Sequence, residues 1–260
     1  MPTLNLDSVD TYYEIHGEGE PLVLIHGLGS STRDWELQVP AFARHFQVIS
    51  LDLRGHGKST KPPGPYSLAL YAEDTARMIK KLGTEPAHFL GISLGGMVAF
   101  QLALDHPKLV RSLIIVNSTP EMVTRTFKEK TAVWQRLLIV RLMGMRKMGQ
   151  VLAARFLPRP DQAELREIFI ERWAENDKSA YLEAMKAVIG WTVLEKLGEI
   201  SCPTLVIGSD GDYFPTRDKE TYTKKIPGAE LIIVKDSLHA LPAEKPGEFN
   251  QMVIDYLLGL

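Results

Sequence analysis

Six short runs of the chain are apolar without alternating: PLVLI (21–25), FQVISL (46–51), AHFLGI (87–92), SLIIV (112–116), PTLVI (203–207) and AELIIV (229–234). A strand with one wet face alternates apolar and polar residues. A continuous run reads as a strand covered on both faces, the habit of parallel sheets. Helical patterns separate the runs. In SLALYAEDTARMIKKLG, Tyr71, Thr75, Met78, Ile79 and Leu82 fall on one face, Ser67 stands where a cap belongs and Gly83 where a stop belongs. Strands and helices in alternation predict an α/β architecture, a mostly parallel sheet with helices on both faces. At 260 residues the chain has room for one large α/β domain with an insertion, or for two domains.

The remaining elements follow the same rhythm. Residues 3–6 and 10–16 read as a hairpin turning near DSVD, and residues 33–45 as a helix. LGGMVAFQLALDH, a stretch near 216–226 and a segment from about Gly247 complete the helices. After Asn117 the rhythm stops, and for about eighty residues no strand-like run occurs. Helical spacings replace it, such as Trp134, Leu137, Leu138 and Tyr181, Met185, Val188, Ile189. The expected division is an α/β core of 1–117 and 201–260, split by a helical cap at 118–200.

Composition narrows the partners. A formal net charge of −2 gives no global field toward nucleic acid or membrane, and no apolar run reaches the length of a membrane span. MPTLNLDSVD lacks a basic segment followed by an apolar one, so the expectation is a cytoplasmic enzyme. Cys202 is the only cysteine and cannot form an internal disulfide or a cysteine metal cluster.

The chemistry concentrates where one strand runs straight into a helix, in HFLGISLGGMVAF. Ser93 stands at the junction, flanked by Gly91 and Gly95. A serine at a strand's C-terminal end is held up into the crevice where α/β sheets bind ligands. Glycines two positions away on each side remove side chains that would clash in so tight a turn. This is the nucleophile-elbow pattern G-x-S-x-G. Alone it occurs by chance in roughly one chain in ten of this length; the strand before it and the helix after it give it weight.

A serine hydroxyl needs a base to take its proton and a carboxylate to orient that base. After such an elbow the order along the chain is Ser, then Asp or Glu, then His. His239, in the loop KDSLHALPAEKP after the last strand, fits that order. The acid should end the strand PTLVIGS, where both Asp210 and Asp212 stand. A tetrahedral intermediate also needs two backbone donors for its oxyanion. The N–H of Leu94 opens the elbow helix, and HGLGSS offers the N–H of Leu28 between two glycines.

Other signals fail. GHGKST lacks the earlier glycine of a phosphate loop, because Asp52 occupies that position. No G-x-G-x-x-G follows a strand, no H-E-x-x-H occurs, and Phe214 stands where a calcium loop after Asp210 would need a ligand. His16, His45, His56 and His88 have no partners at ligand spacing. No cofactor and no metal are expected.

HGLGSS, DLRGHGKST, GISLGG, PTLVIGSDGD and HALPAEKPGEFN together, in this order, resemble the α/β-hydrolase superfamily across the chain outside the insertion. Within it the chain is most similar to small carboxylesterases, 3-oxoadipate enol-lactonases and carbon–carbon bond hydrolases. Serine at the elbow argues against the dehalogenases and epoxide hydrolases that use aspartate there. Aligning the commoner family ending on PTLVI puts Ser209 at a usual glycine and Asp212 at the acid, with Asp210 left to cap the turn. The departure at Ser209 keeps Asp210 open as the acid.

The resemblance implies a serine esterase acting on small to medium hydrophobic esters through Ser93, His239 and Asp212, with Leu28 and Leu94 at the oxyanion. Lactone or carbon–carbon hydrolysis, cofactor-free perhydrolysis, and a ligand receptor with a slow triad are the alternatives. Trp134, Leu138, Met143, Met145, Trp173 and Trp191 are the cap residues expected to face the substrate, or else to pack the cap on itself. From Arg125 to Arg159 nine Lys or Arg stand against one acid, Glu129. That run reads as a solvated face, or as a landing site for an acidic carrier protein, a carboxylated substrate or anionic lipid.

Overall fold

The computed structural model describes residues 2–260. In chain order its strands are β1 (Thr3–Asn5), β2 (Asp10–His16), β3 (Glu20–Ile25), β4 (Phe46–Leu51), β5 (Ala87–Ile92), β6 (Val110–Val116), β7 (Thr204–Ser209) and β8 (Glu230–Val234). The helices are α1 (Val39–Phe42), α2 (Leu68–Leu82), α3 (Leu94–Asp105), α4 (Phe127–Phe156), α5 (Ala163–Ala174), α6 (Lys178–Val188), α7 (Thr216–Thr223), α8 (Leu241–Glu244) and α9 (Pro246–Leu258). All the strands join one sheet in the order β1-β2-β4-β3-β5-β6-β7-β8. β1 and β2 pair antiparallel, as does β2 with β4, and every pairing from β4 to β8 is parallel.

The apolar runs owe their lack of alternation to burial on both faces. Val23, Ile25, Phe89, Leu113, Ile115 and Val206 pack with α2 and α3. Their neighbours Leu22, Leu24, Leu90, Ile114, Leu205 and Ile207 pack with Phe42 of α1 and with Phe249 and Val253 of α9. Successive side chains of a strand point to opposite faces, so a sheet covered twice needs apolar residues at both parities. α2 begins where Ser67 Oγ accepts the Leu70 N–H at 3.1 Å, and it ends at Gly83 in the left-handed region, φ 65°.

The sheet order places the functional crevice. β3 pairs with β4 on one side and with β5 on the other, so the chain reverses direction across the sheet between β4 and β5. Such a switch point opens a cleft beyond the C-terminal ends of the two strands. The loop after β3 carries Leu28, and the turn after β5 is Ser93.

One segment differs from the sequence reading. Residues 33–45 form no single helix: a 3-10 turn at Thr32–Trp35 is followed by α1, with Pro40 in its first turn. Proline has no N–H to donate to a preceding turn, so it starts a helix rather than continuing one. Between β6 and β7 no strand joins the sheet among the described residues, and one isolated bridge, Glu121 to Thr192, ties the start of this segment to its end. α4 breaks at Gly144, whose φ of 80° and ψ of −178° are not helical. Its buried side chains Val140, Met148, Leu152 and Phe156 cluster with Trp173, Tyr181 and Met185. Leu28, Tyr213 and Ala240, from the loops after β3, β7 and β8, pack against that cluster. The inserted helices therefore cover the C-terminal edge of the sheet. Among the described residues no helix is long and apolar enough to cross a membrane.

Candidate active site

Ser93 has φ 54° and ψ −114°, a conformation that L-residues occupy at a cost of about 1–3 kcal/mol. The surroundings enforce it. A Cβ on Gly91 would run into the backbone of Gly95, and a Cβ on Gly95 into the carbonyl oxygen of Ile25. The Ser93 N–H donates to Val116 O at 3.0 Å, and Ser118 Oγ donates to Ser93 O at 2.7 Å. The strained turn is thus tied to β6, while its side chain stands in the crevice.

His239 Nδ1 lies 2.8 Å from Asp212 Oδ1. A proton on Nδ1 donated to the carboxylate leaves Nε2 as the acceptor of the ring. Asp210 takes another role: its exposed carboxylate accepts the Ser237 N–H at 3.3 Å and steadies the turn. The structure therefore brings Asp212, and not Asp210, to the histidine. Asn117 locks the two loops together. Its side-chain N–H groups donate to Ser209 Oγ at 2.9 Å, Leu238 O at 3.1 Å and His239 O at 3.2 Å, and its oxygen accepts the Ser209 N–H at 2.8 Å. That network gives the serine at 209 a reason: its hydroxyl is a buried anchor for β6.

The sequence reading missed Lys219. It sits on α7, a polar helix with nothing in its pattern to mark one lysine as buried. Its ammonium donates to Asp212 Oδ2 at 2.6 Å and to the carbonyl of Phe214, and both partners of the ion pair have side chains 0 % exposed. Burial pushes the Asp212 carboxyl up, but the hydrogen bond and charge of His239 and the charge of Lys219 outweigh it and hold the group below its usual range. A depressed carboxyl adds stability that is complete above about pH 4 and is lost as pH falls through the folded-state value. Breaking a buried pair by removing one partner costs roughly 3–5 kcal/mol. Lys219→Met is expected to lower the unfolding free energy by about that much, read as a shift of the urea midpoint at pH 7. A midpoint equal to that of the parent protein would show that Asp212 does not depend on Lys219.

The N–H groups of Leu28 and Leu94 donate to no protein acceptor among the described residues. The glycines beside Leu28 have different reasons. Gly29 has φ 74° and its missing Cβ makes room for the Trp173 ring, whereas a Cβ on Gly27 would sit at an ordinary 3.7 Å from Ser93 Cβ. His26 is a fastener for this loop. Its ring bonds Gly27 O through Nδ1 at 2.7 Å and accepts the Leu53 N–H at Nε2, 3.0 Å, while burial pushes its pKa down to about 4.

These groups open onto one cavity of about 170 Å³, lined by Ser93, His239, Leu28, Leu94 and mostly apolar side chains. Of the six cap residues expected there, only Trp173 lines it. Trp134 and Met143 are 62 % and 57 % exposed. Leu138 is half-buried and Met145 buried within the cap, neither lining the cavity. Trp191 packs on the α/β core and donates its indole N–H to Gln101 at 2.8 Å. The phase of α4 explains the first miss. Arg136 and Val140 face inward, and Trp134 and Leu138, each two residues earlier, lie about 200° around the helix from them. Leu152, Phe156 and Met185 supply the apolar wall instead.

Tyr213, also unforeseen, stands against Ser93 and His239. Its hydroxyl is 3.5 Å from Ser93 Oγ, and its ring centroid is 4.3 Å from that of His239. Burial pushes its phenol up to about 12, so it is neutral. The basic run of the cap does not form one open face. Arg125 pairs with Glu121, Arg146 with Glu171 and Arg159 with Glu244, while Arg136 lines the cavity and Arg155 lies 5.0 Å over the Tyr213 ring. Lys128, Lys130, Arg141 and Lys147 remain on the exposed side.

A mostly parallel sheet with a cleft at its switch point and a strained serine at the end of β5 defines the class of protein. The α/β hydrolase fold family matches residues 20–246, and the chain belongs to that family. It is 30 % identical over 267 residues to a putative carbamate hydrolase RutD of Azorhizobium caulinodans, covering 98 % of both chains. It is 29 % identical to 3-oxoadipate enol-lactonase 2 of Acinetobacter baylyi, covering 96 % of this chain and 94 % of the relative. The crystal structure of the enol-lactonase from Burkholderia xenovorans LB400 superposes with a TM-score of 0.92 at 24 % identity, covering 99 % of this chain and 100 % of that one. The protein is an α/β hydrolase.

Proposed function

We propose that the protein is a serine hydrolase that cleaves small carboxylic esters through an acyl-enzyme. The observation that carries this reading is the Asp212–His239 pair, hydrogen-bonded at 2.8 Å and opening onto the same cavity as the strained Ser93. Ser93 Oγ turns from its long contact with Tyr213 to His239 Nε2 as substrate enters. Oγ attacks the ester carbonyl, and Nε2 takes its proton. The oxyanion is held by the N–H groups of Leu28 and Leu94, which have no competing acceptor. Collapse of the tetrahedral intermediate expels the alcohol, which leaves with the proton from Nε2. Water, deprotonated by the same nitrogen, then attacks the acyl-enzyme and releases the acid.

The cavity favours compact substrates. About 170 Å³ is close to the volume that holds one benzene in an engineered protein cavity. Short acyl groups fit, and long chains must leave through the mouth. kcat/KM on p-nitrophenyl esters is expected to peak between acetate and hexanoate and to fall at least tenfold by decanoate. A profile that rises through decanoate would contradict the size argument, and no turnover of any ester would contradict the function. A lactone is an ester closed on itself, and its compact shape suits the same cavity. The relative named 3-oxoadipate enol-lactonase 2 supports including lactones in the panel.

A further inference from the structure

Among the described residues one cation faces the cavity without a carboxylate partner. Arg136, on the inner face of α4, lines it. Its Nε donates to the hydroxyl of the buried Tyr181 at 2.7 Å, and its guanidinium carbon lies 5.7 Å from the centre of that ring. These contacts fix the plane of the fork while leaving both terminal amino groups to be satisfied. The other arginines that line the cavity are engaged elsewhere: Arg33 pairs with Glu175, and Arg172 pairs with Glu36 at 2.6 Å. The carboxylates that line it are engaged as well. Glu36 is taken by Arg172, and Asp34 accepts the Ser30 hydroxyl. Among the described residues no carboxylate pairs with Arg136.

Arg136 is part-exposed, and none of its nitrogens is both sealed from water and without a partner, so a ligand that binds there displaces water from a charge that no carboxylate among the described residues neutralises. A planar fork with both terminal amino groups free on one edge matches a carboxylate better than any neutral group. The charge shares this cavity with Ser93 and with Tyr213, whose hydroxyl is 3.5 Å from Ser93 Oγ. A group held by Arg136 would share the cavity with an ester carbonyl at Ser93.

We infer that the substrate is an ester carrying a free carboxylate, which Arg136 binds while Ser93 attacks the ester group. This rests on the hydrolase reading above and adds the substrate's second functional group. Tyr181 acts as the positioning residue that holds the arginine.

The test compares charged and neutral partners of the same size. Monomethyl esters of succinate, glutarate and adipate place the carboxylate on the acyl side, and O-acetyl glycolate places it on the alcohol side. Each is assayed beside its fully methylated counterpart. The protein is expected to prefer the free carboxylate in at least one series. In Arg136→Gln the ratio of kcat/KM, charged over neutral, should fall roughly 10- to 100-fold, mostly through KM, the scale of one charge-assisted pair. Arg136→Lys, which keeps the charge and loses the fork, should retain part of the ratio. Because the readout is a ratio within one protein, general loss of folded enzyme cancels, and thermal melting of each variant checks the fold. Turnover of neutral esters with no preference for the carboxylate, or a ratio unmoved in Arg136→Gln, overturns this inference and leaves the esterase reading standing. Absence of turnover on every ester defeats the esterase reading itself.

Discussion

Replacing Ser93 with alanine is expected to remove ester turnover by about 10⁶-fold in kcat, the scale seen when a serine protease loses its nucleophile. The size follows from covalency: without Oγ no acyl-enzyme forms, and what remains is binding and the oxyanion donors. The change should leave the fold nearly as stable as before. The main chain at 93 is held by the Ser93 N–H on Val116 O and by Ser118 on its carbonyl, and alanine keeps both groups. Stopped assays on p-nitrophenyl acetate with a parallel thermal melt separate the two effects. Turnover within tenfold of the parent protein would remove Ser93 from the chemistry.

Asp212→Asn is expected to cost on the order of 10⁴ in kcat, and the reason is specific to this site. Lys219 donates to Asp212 Oδ2, so the amide oxygen of an asparagine would turn toward the lysine, which can only donate. The amide N–H₂ would then face His239 Nδ1 and force the proton of the ring onto Nε2. That nitrogen could no longer accept the serine proton. Asp210→Asn removes only a negative charge at the surface, because the amide oxygen can still accept the Ser237 N–H, and should cost less than tenfold. Equal losses in the two variants, or a larger loss at 210, would mean that the carboxylate orienting His239 has been misassigned.

The fold was legible because its signals are local and its burial is two-sided. β3, β5, β6 and β7 read as continuous apolar runs for the same reason that they occupy the middle of the sheet. Ser93 was legible because a strand, a glycine-flanked serine and a helix follow one another in the chain. Asp212 and His239 could be placed by chain order, but the choice between 210 and 212 depends on which carboxylate turns inward. Only the packing of β7 and β8 decides that.

What escaped the sequence lies in groups that meet across long stretches of chain. Lys219 reaches Asp212 from a helix that looks wholly solvated. Asn117 looked like the place where a strand ends, and it proves to bind the ends of β7 and of the histidine loop. The cap residues were chosen by size and apolarity, which cannot give the phase of a helix. Trp134 is large and apolar and points to water, while Arg136 is charged and points inward. The break at Gly144 divides α4 into two helical segments of different phase, so no single period describes it.

The central claim is that Ser93 is the nucleophile that His239 activates. It is tested most directly by covalent trapping with a fluorophosphonate, followed by intact-mass and peptide mass spectrometry. One adduct per chain is expected, on the peptide spanning Gly91 to Gly96, formed in step with loss of esterase activity and at least a hundredfold more slowly in Asp212→Asn. An adduct on Tyr213 or elsewhere, or full activity in protein that carries no adduct on Ser93 after prolonged exposure, would contradict the account.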